Sequence, residues 1–162
     1  MTAARPTAGF AFTHPAHAIA LGFGAGLAPF APGTVGTLVA WPVGWILGGV
    51  MTPAVLLAVL AAAFLAGMWA CEITGQHLGV SDHSSMVWDE IVAFLLILAI
   101  VPRDLGWQAA AFVLFRAFDI GKPPPIDWFD RRVRGGFGVM LDDLLAAGYT
   151  LVCLAAIKRL LG

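Results

Sequence analysis

The stretch Ala54–Ile73, AVLLAVLAAAFLAGMWACEI, contains a single charged residue, Glu72. A helix crosses the ~30 Å hydrocarbon core of a bilayer with ~20 predominantly apolar residues, and this run meets that length unbroken. Other apolar runs flank it: about Val35–Met51 before it, then Met86–Val101, a continuation at Trp107–Phe118, and Leu144–Leu161. The first and last of these are close to the lower limit for a span. Met86–Val101 and Trp107–Phe118 are each short and are joined by Pro102–Gly106. Together they read as a helical hairpin, either two short spans or a re-entrant pair. The expected fold class is all-α: an integral membrane helical bundle, one domain over residues 1–162, with its polar loops clustered on the cytoplasmic face.

Composition agrees with this reading. Hydrophobic residues make up 60% of the chain and charged residues 12%, about half the ~25% typical of soluble domains. The mean hydropathy is +0.88. Much of the surface therefore has to face something other than water, and lipid is the simplest candidate. A net charge of −1 provides no basic field for nucleic acid. Cys71 and Cys153 both lie inside apolar runs, with neither disulfide nor metal-ligand spacing. The N-terminus does not read as a cleaved signal, because the stretch after Arg5 is broken by His14, Pro15, His17 and several glycines. Most of the tryptophans, Trp41, Trp45, Trp69, Trp88, Trp107 and Trp128, fall near segment ends, as interfacial belts do.

About half of the charged residues lie between Arg116 and Asp143, and another group lies in Glu72–Glu90. Arg131, Arg132 and Arg134 form the densest basic cluster, which the positive-inside rule assigns to the cytoplasm. Counting spans from that loop puts Gly75–Trp88 and the N-terminal part on the same side, and Thr52–Pro53 and Pro102–Gly106 on the other. Lys158 and Arg159 oppose this assignment.

Three polar regions converge on the cytoplasmic side. The first is GFGAGLAPFAPGTVGT, Gly22–Thr37. Glycines permit close backbone approach and N–H groups that cradle an anion, and Gly33, Thr34 and Thr37 precede or open a helix whose N-terminus favours negative charge. Taken alone, the run reads better as a flexible entry loop. The second is DHSSMVWDE, Asp82–Glu90. Asp89 and Glu90 open a strongly apolar helix, and two adjacent acids about to enter lipid are costly unless paired or metal-bound. His83 reads as a loop histidine. The third region runs from Phe115 to Asp143. Arg116, Asp119 and Lys122 share a helical face at successive i,i+3 spacings. Asp127 and Asp130 sit three apart beside Arg131, and Pro123–Pro125 favour extended polyproline geometry that stiffens Lys122. Asp142 and Asp143 are expected to open the last apolar helix. Arg132 and Arg134 read as solvated or headgroup-attracting charges. Carboxylates suit Mg²⁺ and Arg and Lys suit phosphate oxygens, a combination that metal-assisted phosphoryl chemistry requires. From the residues alone the reading ends at a membrane protein with a polar site for a phosphate.

At GFGAGLAPFAPGTVGT (Gly22–Thr37), DHSSMVWDE (Asp82–Glu90), FRAFDIGKPPPIDWFD (Phe115–Asp130) and GGFGVMLDD (Gly135–Asp143) the chain resembles the phosphatidylglycerophosphatase A family, with the motifs in family order and spacing. The resemblance implies a Mg²⁺-dependent hydrolase of a bacterial inner membrane that converts phosphatidylglycerophosphate to phosphatidylglycerol, multi-pass, with its active site facing the cytoplasm. The family's polar signature falls on Pro32, Gly33, Thr34, Asp82, Asp89, Glu90, Arg116, Asp119, Lys122, Pro123, Asp127, Asp130, Asp142 and Asp143. Of these, Asp89, Glu90, Asp142 and Asp143 are the expected metal ligands, and with Asp119 they form the expected catalytic group. Thr34, Arg116 and Lys122 are expected to bind phosphate, with Gly33, Asp82, Asp127 and Asp130 in support. Some relatives carry Pro-Gly after the first acid where this chain has His83-Ser84-Ser85, so the assignment of Asp82 is weaker than that of Asp89. Whether an acid acts as base or nucleophile stays open.

Other phosphatase classes lack their residues here. No arginine follows Cys71 at the spacing of a cysteine phosphatase, and no Pro-Ser-Gly-His motif for a histidine nucleophile is present. The spaced aspartates of an alcohol phosphotransferase are absent too. The rival from another class is a small transporter or channel, which would carry intramembrane acids near the bilayer midplane.

Overall fold

The computed structural model describes residues 5–161, and every regular element in them is helical. Two short helices, α1 (Ala8–Ala11) and α2 (Pro15–Ala20), lead into 3₁₀ turns over Gly22–Leu27. There follow α3 (Pro32–Val50), α4 (Pro53–Leu78), α5 (Trp88–Ile100), α6 (Leu105–Gly121), α7 (Ile126–Arg132) and α8 (Gly135–Leu161). Three helices, α3, α4 and α8, are long and apolar enough to cross a membrane. Their outward faces expose Ile46, Val50, Leu65 and Val152, as lipid contact requires.

The expected hairpin is present as α5 and α6, both shorter than a span. With 13 residues, α5 is about 20 Å long. It is apolar on every side, and such a helix belongs in a core. Ile91 to Leu95, Ile97 and Leu98 are all buried, enclosed mainly by α3, α4 and α8. Phe94 stacks on Phe115 of α6 and meets Trp41 of α3 edge-on. Most of the short helix is thus shielded from lipid by its neighbours, with Ile100 at its end exposed.

Two polar devices tie the layers together. Gln108 on α6 is buried, and its Oε1 accepts hydrogen bonds from Trp41 Nε1 at 2.7 Å and Trp45 Nε1 at 2.6 Å. Arg103, in the α5–α6 turn, donates to the carbonyls of Gly48 and Trp45 at 3.1 and 2.8 Å; that of Gly48 is one of the acceptors that the end of α3 leaves free. The tryptophans divide accordingly. Trp45, Trp69 and Trp128 are exposed, whereas Trp41, Trp88 and Trp107 pack on the core, so only half of them fit the expected interfacial belt.

α8 begins earlier than the hydropathy indicated, at Gly135 rather than Leu144. Gly135-Gly136-Phe137-Gly138 has poor intrinsic helix propensity, but Glu72 of α4 accepts the Gly136 N–H at 2.7 Å and so caps the helix across the bundle. Consequently Asp142 and Asp143 do not open α8. They lie beyond its first turns.

Helix alternation brings the starts of α3, α5 and α8 and the ends of α4 and α6 to one end of the bundle. α1 and α2 dock there too, through a 2.8 Å hydrogen bond between His17 Nε2 and His77 Nδ1. Burial holds the His17 imidazole below its ordinary pKa, so the ring in this contact is neutral. Single cysteines at Ser81 and Arg132 should react with a membrane-impermeant maleimide from one side of a vesicle, and one at Thr52 only from the other. Equal labelling of all three from one side would overturn this arrangement.

Candidate active site

The polar end of the bundle encloses a cavity of about 260 Å³, lined by Ala31–Gly33, Asp82, Ser84, Met86 and a set of charged side chains. Those charges are Asp89 and Glu90 from α5, Arg116 and Asp119 from α6, Lys122 just after it, and Asp142 and Asp143 from α8. Each arrives by a simple helical rule. Adjacent residues of a helix point about 100° apart, and on α8 this sends Asp142 and Asp143 to different partners. Asp143 joins Asp89 and Glu90, and one carboxylate oxygen of each lies within 4.8 Å of the others. Asp142 turns instead to Lys122, whose Nζ lies 2.6 Å from Asp142 Oδ2 and 2.6 Å from Asp130 Oδ1.

Arg116 is the second cation. Its Nη1 lies 2.5 Å from Asp119 Oδ2, one helical turn away, and 3.5 Å from Glu90 Oε1. Burial works against the charge on Lys122, but hydrogen bonds to Asp130 and Asp142 outweigh it and raise the amine above its ordinary pKa. Lys122 therefore stays charged throughout the neutral range. It also adopts a left-handed backbone, φ +41°, uncommon for a residue with a side chain, at the point where α6 stops. The prolines after it form a turn into α7, with Pro125 at φ −90°, ψ 6°. They are not the extended polyproline segment expected, so Lys122 is held by its two ion pairs.

Asp89 Oδ1, Glu90 Oε2, Asp143 Oδ2 and Arg116 Nε are all buried without a hydrogen-bond partner. Buried polar atoms are satisfied as a rule, and exceptions call for a ligand, a proton or an ion. Three charged carboxylates at this spacing repel by about 3 kcal/mol per pair at an effective dielectric of ~20. One arginine does not balance them. Hard oxygen donors converging on one point, short of positive charge, are what a divalent cation such as Mg²⁺ takes, so the residues present fit that ion.

The glycine-rich loop contributes less than its composition suggested. A side chain at Gly26 would run into the Ser85 carbonyl, so this glycine serves close packing, not anion binding. Only Ala31, Pro32 and Gly33 of the loop reach the cavity. A side chain at Gly33 would collide with the Glu90 carboxylate and come within 3.1 Å of an Arg116 Nη. The first helical bond of α3 runs from Val35 N–H to the Ala31 carbonyl, so the N–H groups of Gly33 and Thr34 have no partner within the helix. What Thr34 offers is this backbone group, because its side chain does not line the cavity. Asp127 also lies away from it, paired with exposed Arg131 at 2.9 Å. Asp82 lines the cavity; His83 is buried, its Nδ1 accepting the Ser85 N–H. Sequence reasoning passed over Glu72, whose capping of α8 sets the height of Asp142 and Asp143. Its position as the one charge in the Ala54–Ile73 run was the available signal.

The phosphatidylglycerophosphatase A family matches residues 18–158. Over 160 residues the chain is 44% identical to a phosphatidylglycerophosphatase A of Haemophilus influenzae, covering 98% of each chain. Over 135 residues it is 43% identical to that of Escherichia coli, covering 83% of this chain and 78% of the relative. A Bacteroides thetaiotaomicron protein provisionally named a phosphatidylinositol-3-phosphatase is 38% identical over 152 residues, covering 89% of this chain and 94% of the relative. No solved structure matches. With four motifs meeting in one cavity and similarity running almost end to end, the chain belongs to the phosphatidylglycerophosphatase A family.

Proposed function

We propose that the chain is a membrane-bound, Mg²⁺-dependent phosphoric monoester hydrolase that converts phosphatidylglycerophosphate to phosphatidylglycerol and inorganic phosphate. The observation that carries the chemistry is the cavity itself: three carboxylates, each with a buried, unpartnered oxygen, beside Arg116 and Lys122. The substrate comes from the names of the two relatives above 40% identity. The transporter reading needs acids spread along a path through the bilayer. Apart from Asp104, an exposed cap in the α5–α6 turn, those of this chain gather at one end of the bundle, which favours hydrolysis. The cytoplasmic orientation rests on Arg131, Arg132 and Arg134 at that same end, and the bacterial inner membrane on the family.

Asp89, Glu90 and Asp143 would hold the metal. When bound, Mg²⁺ supplies neutralisation of phosphoryl oxygens and a more acidic water. Arg116 and Lys122 hold the terminal phosphate, Arg116 through its planar fork and Lys122 as a point charge. The free N–H groups at the start of α3 add a third anion contact. Water adds to phosphorus, the ester P–O bond breaks, and the leaving oxygen takes up a proton to become the hydroxyl of phosphatidylglycerol. The carboxylates of the cavity accept the proton of the attacking water. Asp142 keeps Lys122 in place, and Asp130 supports it from α7.

Purified protein with Mg²⁺ should release phosphate from phosphatidylglycerophosphate and lose that activity in EDTA. Phosphatidic acid and phosphatidylinositol 3-phosphate measured alongside give the headgroup preference. Activity on none of the three would return the transporter reading.

The two aspartates of α8 should separate. Asp143→Asn is expected to lose Mn²⁺ binding, read by electron paramagnetic resonance, together with roughly 100- to 1000-fold in turnover. Asp142→Asn should lose turnover but keep the metal signal. Loss of metal in both variants, or in neither, contradicts the ligand set.

Removing one charge-assisted phosphate contact costs about 2–4 kcal/mol in the transition state, roughly 30- to 1000-fold in rate. Lys122→Ala should fall in that range, and Arg116→Lys should also be impaired because the fork is lost. Arg134, exposed and outside the cavity, is the control, and Arg134→Ala should stay within about threefold. Equal damage from Arg134→Ala would show a diffuse basic surface in place of a clamp.

A further inference from the structure

A second, larger cavity of about 390 Å³ lies between α4, α5 and α8, inside the membrane-spanning part of the bundle. Its walls include Ala61, Phe64, Val92, Leu96 and Leu144, and its one ionisable residue is Asp89. Asp89 is also on the wall of the polar cavity. The two spaces therefore share a residue at the level where the reacting phosphate is expected. From Asp89 the apolar walls follow α5 to Leu96, about 10 Å at 1.5 Å per residue. The space is open on the outer side, where Leu57 and Leu65 of α4 are exposed.

We propose that this groove holds one acyl chain of the phospholipid whose phosphate occupies the polar cavity. The proposal rests on the lipid-phosphatase reading and adds the direction from which the substrate comes: sideways from the bilayer, between α4 and α8. The occupant follows from the surroundings. An apolar slot that opens at membrane depth meets lipid tails, and its only ionisable residue lies where a tail would give way to a head group. A tail gains no hydrophobic free energy in passing from bilayer to groove, since both are equally apolar. The groove's contribution is to orient the substrate. Holding one tail fixes where the glycerol backbone leaves the slot, and hence where the phosphate sits relative to Asp89. Misplacement of a reacting group by about 1 Å costs on the order of 100-fold in rate.

Ala61 lines the groove from an exposed position on α4, while neighbouring Ala62 is exposed without lining it. Ala61→Phe fills the slot and leaves the buried core intact, and Ala62→Phe is its control. On long-chain phosphatidylglycerophosphate, Ala61→Phe should lose roughly 10- to 100-fold in kcat/KM. On a water-soluble dibutyryl analogue, whose tails are too short to reach along the slot, it should stay within about twofold of the unsubstituted protein. Ala62→Phe should leave both substrates unchanged. A parallel fall on both substrates, or no fall on either, overturns the proposal.

A second measurement does not depend on turnover. Phosphatidylglycerol carrying a diazirine in one acyl chain is mixed into phosphatidylethanolamine vesicles, and labelled residues are mapped. Labelling near Leu96 should saturate with the mole fraction of probe and disappear in Ala61→Phe. Labelling at lipid-exposed Val152 should rise linearly in both proteins. Linear labelling at Leu96 as well would mean bulk lipid only and overturn the groove. If the unsubstituted protein hydrolyses no phospholipid, the phosphatase reading fails by itself, and the labelling pattern alone decides whether the groove binds a chain.

Discussion

Asp89, Glu90 and Asp143 set the central constraint, because three carboxylates within 4.8 Å, two of them buried and Glu90 partly so, are costly to fold. Each pair resists being charged, and the low-dielectric surroundings make the resistance stronger. Much of the remaining structure can be read as what makes the cluster tolerable. α5 is wrapped by four other helices, so the acids at its start are fixed by the packing of the apolar residues behind them. Glu72 caps α8 and fixes where its two aspartates fall. Arg116 lies against Glu90 and Asp119, supplying one of the missing positive charges from inside the protein and leaving the rest to be supplied by what binds.

The two cations do different work despite their closeness. Arg116 is largely buried and tied to α5, so its position depends on the same packing as the acids. Lys122 stands at the end of α6 in a left-handed backbone, bound to one carboxylate from α7 and one from α8. It therefore ties the end of α6 to both α7 and α8. A phosphate entering the cavity would exchange these carboxylate contacts for its own oxygens, an exchange between similar charge-assisted hydrogen bonds. Carboxylates that hold the cations beforehand keep them ordered in a site that is otherwise short of positive charge.

Most of the bundle was legible in the sequence because hydropathy and segment length are direct consequences of the bilayer's thickness. The acids at Asp89 and Glu90 were placed correctly for the same reason: they stand where an apolar run begins. Asp142 and Asp143 looked equivalent to that pair and are not. Hydropathy begins at Leu144, but the helix begins at Gly135, because a carboxylate on α4 caps a glycine-rich segment that has little propensity of its own. Only tertiary structure supplies that information. It also sends the two aspartates to different partners, whereas adjacency in sequence suggested one shared role. The triproline segment misled in a similar way: composition favoured an extended strut, while the chain's route into α7 demanded a turn. In the glycine loop, composition could not tell Gly26, which makes room for Ser85, from Gly33, which makes room for Glu90.

The lengths of α5 and α6 connect these observations to the lipid. Neither helix matches the membrane's thickness; α5 is packed among its neighbours, whereas α6 keeps an exposed apolar face at Val113 and Ile120. Asp89 lies beside Asp143, eight residues into α8, and Trp88 beside Gly67, eleven residues before the end of α4, so the start of α5 sits inside the polar ends of two spanning helices. Asp89 is therefore flanked by an aqueous polar cavity on one side and an apolar slot on the other. A phosphate ester joined to two hydrocarbon tails has the same division within a single molecule. A water-soluble phosphomonoester would use the polar cavity alone and leave the depth of α5 without a purpose. The position of this helix start thus favours a substrate that stays in the membrane while its phosphate is removed.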